Sequence, residues 1–149
     1  VQWALDRGLF QPSELPHFCH WAADAGRVDV LKWARTVGGI VFDEHVCSRA
    51  AANGHLPTLR WLLAAGCPWG VWTVTFAAIG GHLDVLQFAR ANNCEWNSDA
   101  CNFAAREGRF AILQWLRENG CPWDESTCFF AEQSCDAAMM EWIHTNCCP

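Results

Sequence analysis

The chain predicts an all-α protein, an α-solenoid of stacked helix–turn–helix hairpins, and three observations carry that expectation. First, a signature of two alanines, a turn residue, a leucine and an aromatic recurs with a 27-residue period, its turn residue falling at Gly26, Gly54, Gly81, Gly108 and, as a substitute, Cys135. Second, each unit alternates a helical stripe of small residues with a stripe of large ones. Third, glycines and Cys-Pro-Trp runs punctuate the stripes at fixed intervals. Self-similarity at this period marks an array of identical supersecondary units, each too small to bury its own apolar face.

The unit Asp43–Trp69 shows each element in order. Asp43 is a residue type favoured at a helix N-cap, and so are its counterparts Gly70, Asn97 and Asp124. The first helix carries Cys47, Ala50 and Ala51 at i, i+3, i+4, a narrow face that lets another helix approach closely. Gly54 closes it, in a position suited to a left-handed cap. The second helix carries Leu56, Leu59, Trp61 and Leu62, a broader and bulkier stripe. Gly66 ends that helix, and Cys67-Pro68-Trp69 returns the chain to the next cap. Corresponding return loops are Ile40-Val41-Phe42, Cys94-Glu95-Trp96 and Cys121-Pro122-Trp123. Five such hairpins fit between Ser13 and Asn146. Val1-Gln2-Trp3-Ala4 matches Leu31-Lys32-Trp33-Ala34, so it reads as the second helix of a preceding unit. The whole of 1–149 therefore reads as one repeat domain, a segment of a longer array.

The run from Ala50-Ala51 through Gly54-His55-Leu56 to Gly66 resembles the ankyrin repeat, and so does Gly81-His82-Leu83-Asp84-Val85-Leu86. The resemblance implies an ankyrin-type α-solenoid whose usual role is binding other proteins. It also implies that His55 and His82 tie neighbouring backbone turns together. Two features depart from the family. Its period is about 33 residues, and its Thr-Pro-Leu-His signature is replaced by His45-Val46-Cys47-Ser48 and Ser126-Thr127-Cys128-Phe129. The missing residues fall where the family carries a β-hairpin finger, so short loops with little or no strand are expected. A tetratricopeptide-like array is the alternative fold.

Composition bounds the function. The net charge is −6, and one lysine and nine arginines stand singly, which argues against a phosphate-binding stripe or an acidic-lipid surface. No apolar run is long enough to span a membrane, and no signal peptide is visible. Ten cysteines without a bridging pattern indicate a reducing, intracellular compartment, the cytoplasm being expected. Cys67, Cys94, Cys121 and Cys148 form one column of equivalent positions, and Cys19, Cys47, Cys101 and Cys128 a second in which Val74 replaces one member. Equivalent positions of stacked repeats lie roughly 10 Å apart, beyond disulfide reach, so buried structural thiols are expected. No C-x₂-C pair is present for zinc. No phosphate loop, nucleophile elbow or acid–base constellation stands out either.

The expected function is a non-catalytic protein-interaction scaffold, without cofactor, acting as a monomer on a protein partner and not on nucleic acid or membrane. The alternatives are a cysteine-based metal or redox-sensing module, or a targeting array attached to an enzyme domain outside this segment. The partner-binding residues expected are those on the first-helix side, away from the Cys47 direction. Trp21, Arg49, Phe76, Phe103 and Phe130 occupy one repeat position there, and His45, Trp72, Asp99 and Ser126 a neighbouring one. Trp72 is the leading candidate. The competing expectation is that the rings at the first position pack on the loop tryptophans Trp69, Trp96 and Trp123. The second-helix aromatics Trp33, Trp61, Phe88, Trp115 and Trp142 are expected in the core, and Glu132 is expected to face a neighbouring helix.

Overall fold

The computed structural model describes residues 15–134 and 136–146. Ten helices run through them in five antiparallel hairpins. They are α1 (Leu15–Asp24) and α2 (Val28–Thr36), α3 (Glu44–Ala52) and α4 (Leu56–Ala64), α5 (Val71–Gly80) and α6 (Leu83–Ala91), α7 (Ser98–Arg106) and α8 (Phe110–Glu118), and α9 (Glu125–Gln133) and α10 (Ala137–Thr145). Among the described residues there is no strand, so the return loops are short connections without a finger. The expected segment Val1–Ala4 and the substitute turn residue Cys135 lie outside the described residues.

Local chemistry sets the helix boundaries. The Asp43 carboxylate accepts from the Val46 amide, and Asp124 accepts from Ser126 within a capping box completed by Thr127. Asn97 accepts from Asp99 in the same way, while Gly70 caps without a side chain. The first four hairpin turns repeat one pattern: the amide after the glycine bonds back five residues, as in His55 to Ala50 O (2.9 Å) and His82 to Ala77 O (3.0 Å). The second turns repeat it too, with Cys67 bonding Leu62 O at 3.0 Å and Cys121 bonding Leu116 O at 2.9 Å. Asn93, at φ 56°, stands there where the other repeats place glycine. Asparagine is the non-glycine residue that tolerates this conformation best.

The first helices pack on one another along the array, α1 on α3, α3 on α5, α5 on α7 and α7 on α9. The alanine pairs make this possible, since Ala23, Ala50, Ala51, Ala77, Ala78, Ala104 and Ala105 are fully buried. The second helices supply the bulk of the core through Leu31, Leu59, Leu62, Leu86, Leu113 and Leu116. Burying one such leucine contributes about 1.5–3 kcal/mol.

Neighbouring turns are tied by side chains. His55 Nε2 bonds Asp24 O (2.8 Å), and His82 Nε2 bonds Ala52 O (3.0 Å). Arg109, at the same repeat position, donates from Nε to Ile79 O at 3.1 Å. The histidines thus have the tying role that the resemblance implied.

The aromatic residues correct two expectations. Trp33, Trp61, Phe88, Trp115 and Trp142 are half-buried, not central. The fully buried places of the second helices are filled by aliphatic side chains such as Leu59, Leu62, Leu113 and Leu116, and the rings sit at the edge of the apolar stripe. There four of the five meet a return-loop ring: Phe42 on Trp61 (5.9 Å between centroids), Trp69 on Phe88 (6.0 Å), Trp96 on Trp115 (6.2 Å) and Trp123 on Trp142 (5.8 Å). Guanidinium groups cap the ladder, with Arg60 over Phe88, Arg90 over Trp96 and Arg117 over Trp123 at 4.5–4.6 Å. The loop tryptophans are therefore spent on the second-helix side and do not cover the first-helix rings. Glu132 is exposed and needs no buried partner.

Candidate functional site

The exposed first-helix face is built from positions that change from repeat to repeat beside a nearly constant alanine core. Trp21 is 73% exposed, Trp72 47% and Phe76 37%. On α5 the last two stand at i and i+4, one helical turn apart, and their rings meet with centroids 6.2 Å apart. Phe76 also lines a pocket of about 250 Å³ with Asp24, His45, Ser48, Arg49 and Ala52. This pocket lies across three successive first helices, α1, α3 and α5.

Its electrostatics are organised by one ion pair. Arg49 Nη1 reaches Asp24 Oδ2 at 2.7 Å, and Asn53 Nδ2 donates to Asp24 Oδ1 at 3.2 Å. Both charged groups are partly open to water, so the pair holds geometry more than it adds stability. His45 is exposed beside it, its ring 6.1 Å from that of His20.

The structure thus brings His45, Arg49, Phe76 and, through its ring contact, Trp72 to one place. The remaining expected residues lie elsewhere. Trp21 is separate, on α1. Phe103 is half-buried on α7 under the Arg106 guanidinium at 4.8 Å, and half-buried Phe130 packs against Phe129 at 5.7 Å. Asp99 is turned into its own helix cap, accepting from Asn97 Nδ2 at 2.9 Å, so its charge is committed locally. Sequence reasoning missed Asp24, Ser48 and Ala52. Asp24 shares a repeat position with Ala52, Ile79, Arg106 and Gln133, and that variability beside the alanine pair was a usable signal.

The cysteines depart from the expectation of isolated thiols. A thiol of one column faces a thiol of the other across the hairpin. Cys47 Sγ lies 3.0 Å from Cys67 Sγ, and Cys101 and Cys121 hold the same two places in their own unit. Cys128 is disulfide-bonded. The bond to Cys67, with burial, pushes the Cys47 thiol pKa up; the neighbouring Cys121 thiol and burial do the same for Cys101. Burial alone is the main cause at Cys19, raised to about 11, and at Cys94, raised to about 12. Among the described residues no group of three or more His, Cys, Asp or Glu side chains is placed to hold a metal ion. No described helix is long and apolar enough to cross a membrane.

The family model described as ankyrin repeats (many copies) matches residues 47–90. The resemblance read from Ala50–Gly66 and Gly81–Leu86 therefore holds, and the fold is an all-α helix–turn–helix solenoid. No curated protein matches the chain at significant similarity. Ankyrin repeats are generally protein–protein interaction modules, and the family is typically non-catalytic.

Proposed function

We propose, from the ankyrin-repeat match and the exposed ring pair within it, that this chain is a non-catalytic interaction scaffold binding a protein partner on its first-helix face. The observation that supports this reading is the adjacency of Trp72 and Phe76 to the pocket walled by Asp24, His45 and Arg49. Large aromatics and arginine dominate binding energy where they occur, and a pocket beside them gives an apolar partner side chain somewhere to insert. The pocket's three-helix span favours an extended or convex partner segment crossing several hairpins. The partner, on this reading, is bound by one monomeric array.

The test compares Trp72→Ala and Arg49→Glu with Gln87→Glu, an exposed change on α6 at the opposite side. Partner recovery in a quantitative pull-down should fall at least tenfold with the first two and stay unchanged with the third. Loss with Gln87→Glu alone would place the interface on the second-helix side.

A metal-sensing module gains no support from the described residues. The facing thiols do favour the redox limb of the cysteine reading, as a property added to the scaffold.

A further inference from the structure

The sequence places a cysteine in the first helix and another 20 residues later in the return loop, as Cys47/Cys67 and Cys101/Cys121. The hairpin folds each pair together. Cys67 and Cys121 occupy the same place in their units: the thiol of Cys67 donates to the cap carbonyl of Asp43 at 3.3 Å, and that of Cys121 to Asn97 O at 3.4 Å. Cys94 does the same to Gly70 O at 3.4 Å, but Val74 stands where its facing cysteine would be. That unit is a natural control with one thiol removed.

We propose that Cys47 and Cys67 are a dithiol site oxidised to an intra-repeat disulfide by a small-molecule disulfide of the glutathione class, with Cys101 and Cys121 as a second site of the same kind. The sulfurs of Cys47 and Cys67 are already about 1 Å from bonding distance, so a small adjustment closes the bond.

Access decides the order of events. Cys67 opens onto a cavity of about 100 Å³ lined by Arg35, Ile40, Val41, Phe42, Ala65 and Gly66, whereas Cys47 is fully buried. Arg35, whose guanidinium also donates to Ala65 O, supplies a cation in the cavity lining, suited to a glutathione carboxylate. Cys67, as thiolate, attacks one sulfur of the oxidant, breaking its S–S bond and releasing one glutathione thiolate. Cys47 then attacks the Cys67 sulfur of the mixed disulfide and releases the second. The two cysteine protons pass to the two departing thiolates, so one oxidant disulfide is reduced for each protein disulfide formed. The raised pKa of Cys47 agrees with its acting second, held protonated until the mixed disulfide reaches it.

Oxidation pins the return loop Cys67-Pro68-Trp69 to α3, the helix that carries His45 and Arg49. The site does not depend on the proposed partner, and neither does its test. The full 149-residue chain is reduced, equilibrated without oxygen in glutathione buffers of graded ratio, quenched with acid, alkylated and mapped by peptide mass. Circular dichroism confirms that the fold persists throughout. The Cys47–Cys67 and Cys101–Cys121 linkages should appear as the buffer becomes oxidising, while Cys94 stays alkylated. The oxidised protein should melt about 5–10 °C higher, reversibly, because closing the loop restricts the unfolded chain. Cys47→Val, which copies the natural Val74, should abolish the first linkage, leave the second, and trap Cys67 as a glutathione mixed disulfide. Cys47 and Cys67 both remaining alkylatable at the most oxidising ratio, in the folded wild-type protein, would overturn the proposal. Linkages to Cys94 at comparable yield would overturn it equally, since they would mean random oxidation of opened chains.

Discussion

Replacing Gly54 by alanine should damage the protein more than the same change at Gly108, and the difference isolates the histidine tie. Both glycines close a first helix in the left-handed region, Gly54 at φ +70° and Gly108 at φ +68°. An alanine there costs about 1–2 kcal/mol for its Cβ, in both places alike. Beyond that the sites diverge. A Cβ at Gly54 would stand 2.5 Å from His82 Nδ1 and 2.7 Å from Cε1, whereas one at Gly108 meets nothing within 4 Å. The His82 ring must then swing away and lose its bond to Ala52 O, a further cost of about 1–1.5 kcal/mol. Urea unfolding should therefore give about 2–3.5 kcal/mol for Gly54→Ala against about 1–2 for Gly108→Ala. In the double variant Gly54→Ala/His82→Ala the two changes should cost about 1 kcal/mol less than their sum, because the ring that clashes is gone. Equal costs at the two glycines, within about 0.5 kcal/mol, would refute the argument that the ring on the glycine is what ties successive turns.

Core and edge positions of one helix should separate clearly. Leu59→Ala, at a fully buried side chain, is expected to cost about 2–5 kcal/mol, and Trp61→Ala, half-buried under Phe42, only about 2; denaturant midpoints that rank Trp61 as the costlier loss would contradict the packing described. The buried thiols predict alkaline sensitivity of the reduced protein. Cys19 and Cys94 hold their protons to about 11 and about 12, and Cys47 and Cys101 are raised as well, whereas unfolded thiols release theirs near 8.5. Above that pH the unfolded state binds fewer protons, so stability is full below it and should fall by about 1.4 kcal/mol per pH unit for each raised thiol. A stability profile that is flat from pH 7.5 to pH 10 in reductant would reject it.

Repeat-internal features were legible in the sequence because each is encoded within one unit. Caps at Asp43, Asn97 and Asp124, the alanine pairs and the turn glycines all declare themselves by residue type and spacing. Relations between units were harder to read. The destination of Trp69 depends on which way the loop turns, and helical periodicity says nothing about loops. The Arg49–Asp24 pair depends on inter-repeat register, 25 residues apart, where no local pattern points. The facing thiols were a different kind of omission. Their 20-residue spacing was present in plain view, but comparing cysteines only along a column conceals the partner across the hairpin.

The ties between turns also set how the chain reaches its fold. His55 reaches back 31 residues to Asp24, and His82 and Arg109 reach back 30. Packing of α1 on α3 or α5 on α7 spans a similar stretch. The loop that must close for each step is therefore fixed by the period and does not grow with the number of hairpins, so neither does its entropy cost. Relative contact order falls as hairpins are added, which places this architecture among rapidly folding topologies despite its length. Any hairpin with its neighbour can begin the process, and the others can add from either side.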